Sequence, residues 1–100
     1  MSTYVFIIAW NLAYTTIEVM LMFIPTLDAK TVGEVISDYR KKKGISQEVL
    51  SGLADIGRTH LSAIERGERK PTLETLYRIC NALDVKMSDV VKEIENRIHQ

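Results

Sequence analysis

Apolar residues recur at helical spacing through residues 31–100, and capping residues divide this stretch into short segments. Thr31 and Glu34 form a T-x-x-E capping box, which predicts the start of a first helix. Gly44 suits the left-handed position that would end it. Ser46 predicts the N-cap of a second helix. The predicted core positions are Val32, Val35, Ile36 and Tyr39 in the first helix and Val49, Leu50 and Leu53 in the second.

Three further helices follow from the same signals. The third is predicted over about residues 58–66, with Gly67 after its end. Thr72 predicts the N-cap of the fourth helix, and Ser88 that of the fifth. Because no segment after residue 31 alternates with period two for long, the predicted fold class is all-α, with five helices. The predicted core positions are Leu61 and Ile64 in the third helix, Leu73, Leu76, Tyr77, Ile79, Cys80 and Leu83 in the fourth, and Val90, Val91, Ile94 and Ile98 in the fifth.

Residues 1–30 differ from the remainder of the chain and are treated as an apolar N-terminal extension. Residues 4–24 contain seventeen apolar side chains and a single charge, Glu18, whereas every Lys and Arg lies at Lys30 or later. Pro25 and Asp28 interrupt the apolar run. The sequence therefore predicts two parts, an extension over 1–30 and a helical domain over 31–100.

The extension has several interpretations. Residues 4–24 are long enough to span a bilayer with the domain in the cytoplasm, although Asn11, Thr15, Thr16 and Glu18 would be costly in hydrocarbon. The segment could instead be an arm that packs on the domain or on a second subunit, and the β-branched and aromatic run 4–8 favours a strand there. A third interpretation is that translation starts at Met20 or Met22. A cleaved signal peptide is disfavoured because no basic region precedes the apolar run.

Composition narrows the classes of function. The chain has 100 residues, 13 basic and 13 acidic, so it is neither a polycation nor an acidic tail. Cys80 is the single cysteine, which excludes an internal disulfide and a cysteine-based zinc site, and His60 and His99 are a poor metal pair. No nucleophile, base and orienting group can be assembled into a catalytic set. We therefore expect neither enzyme activity nor a cofactor.

The second and third helices are joined by a three-residue turn, Asp55-Ile56-Gly57, which is the arrangement of a helix-turn-helix. The run from Ser46 to Pro71, S-Q-E-x-L through I-E-R-G-x-x-x-P, and the following P-T-L-x-T-L resemble the Cro/phage-repressor, or XRE-type, helix-turn-helix family. The resemblance extends from about Val32 to Val90. Within the family, R-T-H-L-S-A-I-E-R-G is most similar to restriction–modification controller proteins and some short phage repressors.

Three positions depart from the family pattern. Asp55 stands where the turn usually has Gly, Ser51 where the second helix usually has Ala, and Gly57 where the third helix usually has a Ser or Thr cap. Asp tolerates the left-handed conformation, Ser is close to Ala in size, and Gly is an acceptable N-cap. The fold is therefore expected to tolerate all three.

The resemblance implies a site for double-stranded DNA. Gln47, after the cap of the second helix, corresponds to a phosphate contact. Arg58, Thr59 and Ser62 lie on the side of the third helix opposite its apolar positions, where they would enter the major groove. His60 would contact backbone or base. The alternatives are an inconsequential polar residue for Gln47, a surface or phosphate-contacting arginine for Arg58, and a solvated histidine for His60.

Charge supports this placement, since residues 40–70 carry a net charge of +4 and residues 71–100 a net charge of −1. Arg69 and Lys70 follow the third helix, which is the recognition helix of the family, and would straddle a phosphate. Lys41–Lys43 are interpreted as a solvated helix end. Other residues are given structural roles. The family pairs a basic and an acidic residue at Arg40 and Glu65, and Cys80 is expected to be a buried, inert thiol.

The combined prediction is a prokaryotic, sequence-specific transcription regulator, such as a repressor, located in the cytoplasm at the nucleoid. A monomer covers one half-site, so a homodimer is expected, with its interface on the fifth helix through Val91, Ile94 and Ile98, after Val85 and Met87. The alternative is a protein-interaction module, an antitoxin or coactivator with the same fold. Such a module has no need of groove-facing and phosphate-facing residues together.

Overall fold

The computed structural model describes residues 17, 19, 20 and 24–99. Over residues 24–99 it contains five α-helices: α1 (Ala29–Lys42), α2 (Gln47–Ala54), α3 (Arg58–Glu65), α4 (Leu73–Ala82) and α5 (Met87–Ile98). No strand occurs in this range. The all-α, five-helix prediction is confirmed for this part of the chain.

The first helix begins earlier than predicted, at Ala29, so the prediction of a capping box formed by Thr31 and Glu34 is wrong. Asp28 is the N-cap of α1, and its Oδ2 accepts hydrogen bonds from the backbone N–H of Thr31 at 3.3 Å and from Thr31 Oγ1 at 2.7 Å. The bond from the Thr31 side chain lowers the pKa of the exposed Asp28 carboxyl. Thr31 is therefore the third residue of the helix, where it donates to the cap.

The remaining caps agree with the sequence except in α5. Ser46 Oγ accepts from Val49 N at 3.1 Å, and Thr72 Oγ1 accepts from Thr75 N at 3.0 Å. Gly57 caps α3 through its backbone alone. The predicted Ser88 cap of α5 is wrong, because Lys86 occupies the N-cap with no side-chain hydrogen bond and the helix begins at Met87. Met87, the first residue of α5, packs against the core.

The hydrophobic core forms where α1 packs on α3 and α5, while α2 packs on α3 and α4. Val49, Leu53, Leu73 and Tyr77 were predicted to face this core, but all four are exposed. These residues lie on the flanks of α2 and α4. The buried face of each helix is narrower than the predicted apolar face and is enough to fill the core. The buried apolar residues are Val32, Val35, Ile36, Leu50, Ala54, Leu61, Ile64, Leu76, Ile79, Cys80, Leu83, Val90 and Ile94.

Two glycines lie where the backbone of α1 comes very close to α3 and to the loop that follows α3. A Cβ on Gly33 would lie 2.3 Å from the backbone oxygen of Ile64 and 2.7 Å from that of Glu65. Gly67 has φ +76°, and a Cβ there would lie 2.7 Å from Lys30 Cα. The start of α1 therefore contacts the loop that follows α3, and its middle contacts the end of α3.

The interpretations of residues 4–24 concern a segment that lies mostly outside the described residues. Among the residues that the structure does describe, there is no helix with the length and apolarity needed to cross a membrane. Ile24 and Leu27, which lead into α1, are exposed.

We expect a chain starting at Met22 to fold, because the buried core of the described part begins at Val32 and the cap of α1 is Asp28. Circular dichroism and thermal melting check this. A membrane anchor predicts that only the full-length chain partitions with membranes. A packing arm predicts that truncation weakens the dimer, and a start at Met20 or Met22 predicts no change. Loss of folding on truncation would contradict all three interpretations.

Candidate nucleic-acid interface

The turn between α2 and α3 has the geometry that the helix-turn-helix prediction requires. Asp55 adopts the left-handed conformation, with φ 54° and ψ 49°, and Ile56 N donates to Ser51 O at 3.0 Å. Ser51 is buried, and its hydroxyl donates to Glu48 O at 3.0 Å, so the polar group is satisfied inside its own helix. The substitutions of Asp for Gly and Ser for Ala are therefore accommodated.

The two faces of α3 are opposite in character. Leu61 and Ile64 are fully buried, whereas Arg58 and Thr59 are exposed and Ser62 is half-buried. His60 is half-buried on the flank. Since the apolar pair anchors the helix from one side, the structure brings Arg58, Thr59 and Ser62 together on the side that is turned away from the core.

Arg66, the C-cap residue of α3, belongs to this same outward face. Its Nη1 donates to Ser62 Oγ, and its Nε pairs with the carboxylate of Glu68. The spacing of four residues from Ser62 is the signal that could have identified it. The hydroxyl of Ser62 is thus held within a short chain of polar groups.

Arg40 and Glu65 join α1 to the end of α3 through two parallel hydrogen bonds. Arg40 Nε and Nη2 donate to Glu65 Oε2 and Oε1 at 2.8 and 2.9 Å, and the side chains are only 12% and 5% exposed. Arg40 Nη1 also donates to Ile45 O at 2.9 Å. Burial by itself raises the pKa of Glu65, but the hydrogen bonds from Arg40, Gln47 and Ser37, together with the charge of Arg40, outweigh it and hold that pKa below its ordinary value.

Gln47 connects this ion pair to the start of α2. Its Nε2 donates to Glu65 Oε1 at 3.2 Å, which further lowers the pKa of Glu65. A carboxamide has two N–H donors, so one remains to contact an anion at the end of the helix. The sequence predicts Gln47 as a phosphate contact but does not predict its hydrogen bond to Glu65, which fixes the side chain from inside the protein.

The loop after α3 carries Arg69 and Lys70, and both are exposed. The loop is fixed at one end by Gly67 against Lys30 and at the other by the Thr72 cap.

Cys80 is buried in the core, and burial raises its pKa to about 11, as expected for an inert thiol. Within the described residues, no group of three His, Cys, Asp or Glu side chains could hold a metal ion.

A family model described as Helix-turn-helix matches residues 36–90, which include the turn, α3 and the loop. The chain belongs to the XRE-type helix-turn-helix family. As a member of a family of transcriptional regulators, it is not an enzyme.

Curated relatives agree with this membership. The chain is 37% identical over 62 residues to the HTH-type transcriptional regulator y4dJ of Sinorhizobium fredii, an alignment that covers 62% of this chain and 80% of the relative. It is 35% identical over 72 residues to the ImmF control region 10 kDa protein of Bacillus phage phi105, with 72% and 79% covered. The immunity repressor of the same phage is 36% identical, and the chain spans less than half of it, 44%.

Solved structures share the same helical architecture. The restriction–modification controller protein C.AhdI from Aeromonas hydrophila has a TM-score of 0.62 and 29% identity, with 65% of this chain and 98% of that chain covered. The clp gene regulator ClgR from C. glutamicum has a TM-score of 0.67 and 27% identity, with 74% and 95% covered. The all-α fold and the resemblance to controller proteins are thereby confirmed.

Proposed function

We propose that the protein is a sequence-specific, DNA-binding transcriptional regulator that acts as a homodimer with α3 in the major groove. The observation that carries this proposal is the division of α3 into an anchored apolar face and an outward polar face. An α-helix with its side chains is about 10–12 Å in diameter, so α3 fits a major groove that is about 12 Å wide. Arg58 can donate two bonds to guanine O6 and N7, and Thr59 offers a hydroxyl group and a methyl group.

The proposed phosphate contacts lie on either side of α3. Gln47 is at the N-terminal end of α2, where backbone N–H groups and the helix dipole favour an anion. Arg69 and Lys70 lie in the loop beyond the other end of α3. His60, half-buried on the flank of α3, is proposed to contact backbone or base. These residues would set the register of the protein on the duplex, while the α3 face would read the bases.

A homodimer is proposed because one α3 covers only one half-site, and two half-sites are normally about 34 Å apart. The sequence predicts an interface on α5. In the structure Val90 and Ile94 are buried, and Val85, Met87, Val91 and Ile98 pack against the same core. The fifth helix therefore has less apolar surface to offer a partner than its sequence suggested.

Selection of bound sequences from random DNA, repeated at two salt concentrations, tests the proposed function. A regulator enriches a two-fold symmetric motif, and its affinity falls with salt because phosphate contacts release counterions. A protein-interaction module would enrich no motif at either salt concentration, which would overturn the proposal.

We expect Arg58→Ala to weaken binding to the selected sequence by about 1–3 kcal/mol if Arg58 contacts guanine, while binding to unrelated DNA changes much less. Fluorescence anisotropy with both DNAs measures the difference. Lys92→Ala is the matched control, since it removes one exposed positive charge from α5 and should leave the preference between the two DNAs unchanged. Equal losses on both DNAs for Arg58→Ala would show a phosphate contact instead of base reading.

A further inference from the structure

Three polar side chains at the C-terminal end of α3 are connected to one another on its outward face. The carboxylate of Glu68 accepts a hydrogen bond from Arg66 Nε, and Arg66 Nη1 donates to Ser62 Oγ. The side chains of Arg66 and Glu68 are 55% and 58% exposed, so a ligand on this face can reach them. The three residues are called the Arg66 cluster below.

The backbone at the end of α3 determines where Glu68 lies. Gly67 is in the left-handed conformation with φ +76°, and its N–H donates to Ile64 O at 3.0 Å. The N–H of Glu68 donates to Ala63 O at 2.9 Å. These two bonds around a left-handed glycine form a Schellman motif, which turns the chain back over the last turn of the helix. Glu68 therefore lies beside Arg66, although it is two residues beyond this C-cap.

We propose that the Arg66 cluster reads one guanine in the major groove, with Arg66 and Ser62 contacting the base and Glu68 positioning Arg66. This inference rests on the proposed function and deepens it, since it adds a specificity-determining residue and a positioning residue to the same surface. Ser62 lies four residues, about one helical turn, beyond Arg58. The guanine therefore belongs to a different base pair from the one that Arg58 reads.

The hydrogen-bonding groups of the Arg66 cluster favour guanine over the other bases. A guanidinium can only donate, so its bond to Ser62 uses a lone pair of the hydroxyl and leaves the O–H available as a donor. Arg66 has five N–H donors and uses two of them inside the cluster. Guanine presents two acceptors, O6 and N7, in the major groove, whereas adenine and cytosine each present an amino donor, which the charge of Arg66 opposes.

Glu68 matters because an arginine beside a duplex is also attracted to phosphates. Phosphate contacts strengthen binding to every sequence and carry no sequence information. The ion pair of Arg66 with Glu68 has no net charge, so the attraction of Arg66 to the backbone is offset. The carboxylate also holds Nε, which keeps the rest of the guanidinium directed at Ser62. Glu68 thus keeps Arg66 at the base edge.

Selection from random DNA with the full-length parent, Ser62→Ala and Arg66→Ala tests the base contact. The parent should enrich a guanine that is distinct from the one lost in Arg58→Ala. Each of the two variants should lose about tenfold or more of the preference for this guanine, while the preference that depends on Arg58 remains. Ser62→Thr keeps the hydroxyl and should retain the preference. Equal losses of affinity for selected and unrelated DNA in Arg66→Ala would show a phosphate contact and overturn the proposal.

Glu68→Gln tests the positioning role through the salt dependence of binding. Without the carboxylate, Arg66 is released to a phosphate, so unrelated DNA should bind more tightly and the log–log salt slope should steepen by about 0.9. The preference for the guanine should fall at the same time. Glu93→Gln is the matched control, since it removes a carboxylate from the ion pair with Arg97 on α5 and should change neither quantity. Fluorescence anisotropy over a salt series measures both.

The outcomes separate this inference from the proposed function. An unchanged salt slope and an unchanged guanine preference in Glu68→Gln would overturn the positioning role and the proposal with it. If the parent selects a motif that depends on Arg58, and the variants at Ser62 and Arg66 keep every base preference, this inference alone is wrong. Selection of no motif by the parent would overturn both proposals.

Discussion

Glu65→Ala is expected to lower the free energy of unfolding by about 3–5 kcal/mol, because it leaves the nearly buried guanidinium of Arg40 without its carboxylate. The change also removes the acceptor of Gln47, so α1, α2 and α3 lose a common contact. Urea denaturation followed by circular dichroism measures the loss. The control is Glu68→Ala, which removes an exposed ion pair with Arg66 and should cost at most about 1 kcal/mol.

The double substitution Arg40→Met with Glu65→Leu should recover much of the loss. Apolar side chains of similar volume avoid the cost of desolvating two charges, so replacing both partners differs from removing one. If Glu65→Ala unfolds like the parent, the ion pair contributes nothing to stability and this account is wrong.

The same pair makes stability depend on pH. Since Glu65 has a lower pKa in the folded protein than its ordinary value of 4.5, its contribution is fully present above that value. The contribution is lost as the pH falls through the lower, folded pKa. Below about pH 4.5 the parent should therefore lose stability more steeply than the Arg40→Met, Glu65→Leu variant. Parallel acid titrations of the two proteins measure the difference.

The sequence predicted the helices well because their ends carry local signals. Ser46, Thr72 and Gly57 lie at the caps where the pattern placed them, and Asp55 takes the left-handed turn. Each of these features depends on a few neighbouring residues. The error at Thr31 has the same origin, since Asp28 offers a competing cap three residues earlier and the pattern does not decide between them.

The parts that the sequence could not predict depend on contacts between helices. Periodicity marks Leu73 and Tyr77 as apolar positions, but only the packing of α4 shows that the core is filled without them. The contact of Gln47 with Glu65 joins residues eighteen positions apart. In both cases the relevant partner is distant in the chain, and local patterns contain no information about it.

Among the glycines, Gly33 is the position where adding a single methyl group is expected to destabilise the fold most. Gly33→Ala would place a Cβ 2.3 Å from the carbonyl oxygen of Ile64 and 2.7 Å from that of Glu65. Because both atoms belong to the backbone, α1 and the end of α3 must separate. Overpacking typically costs about 1–3 kcal/mol, and we expect Gly33→Ala to lower the free energy of unfolding by roughly 3 kcal/mol or more. Urea denaturation measures the loss.

Gly52→Ala is the matched control, because Gly52 is also inside a helix but a Cβ there would meet nothing within 4 Å. Alanine favours the helical conformation over glycine, so this variant should be more stable than the parent by about 0.5–1 kcal/mol. If Gly33→Ala lowers the stability and Gly52→Ala raises it, the close approach of α1 to α3 is the cause of the loss at Gly33. The movement of α3 should also weaken binding to the selected DNA for Gly33→Ala, since the same displacement shifts Arg58. Similar stability for the two variants would mean that α1 and α3 can separate without cost, and that Gly33 does not set the position of the recognition helix.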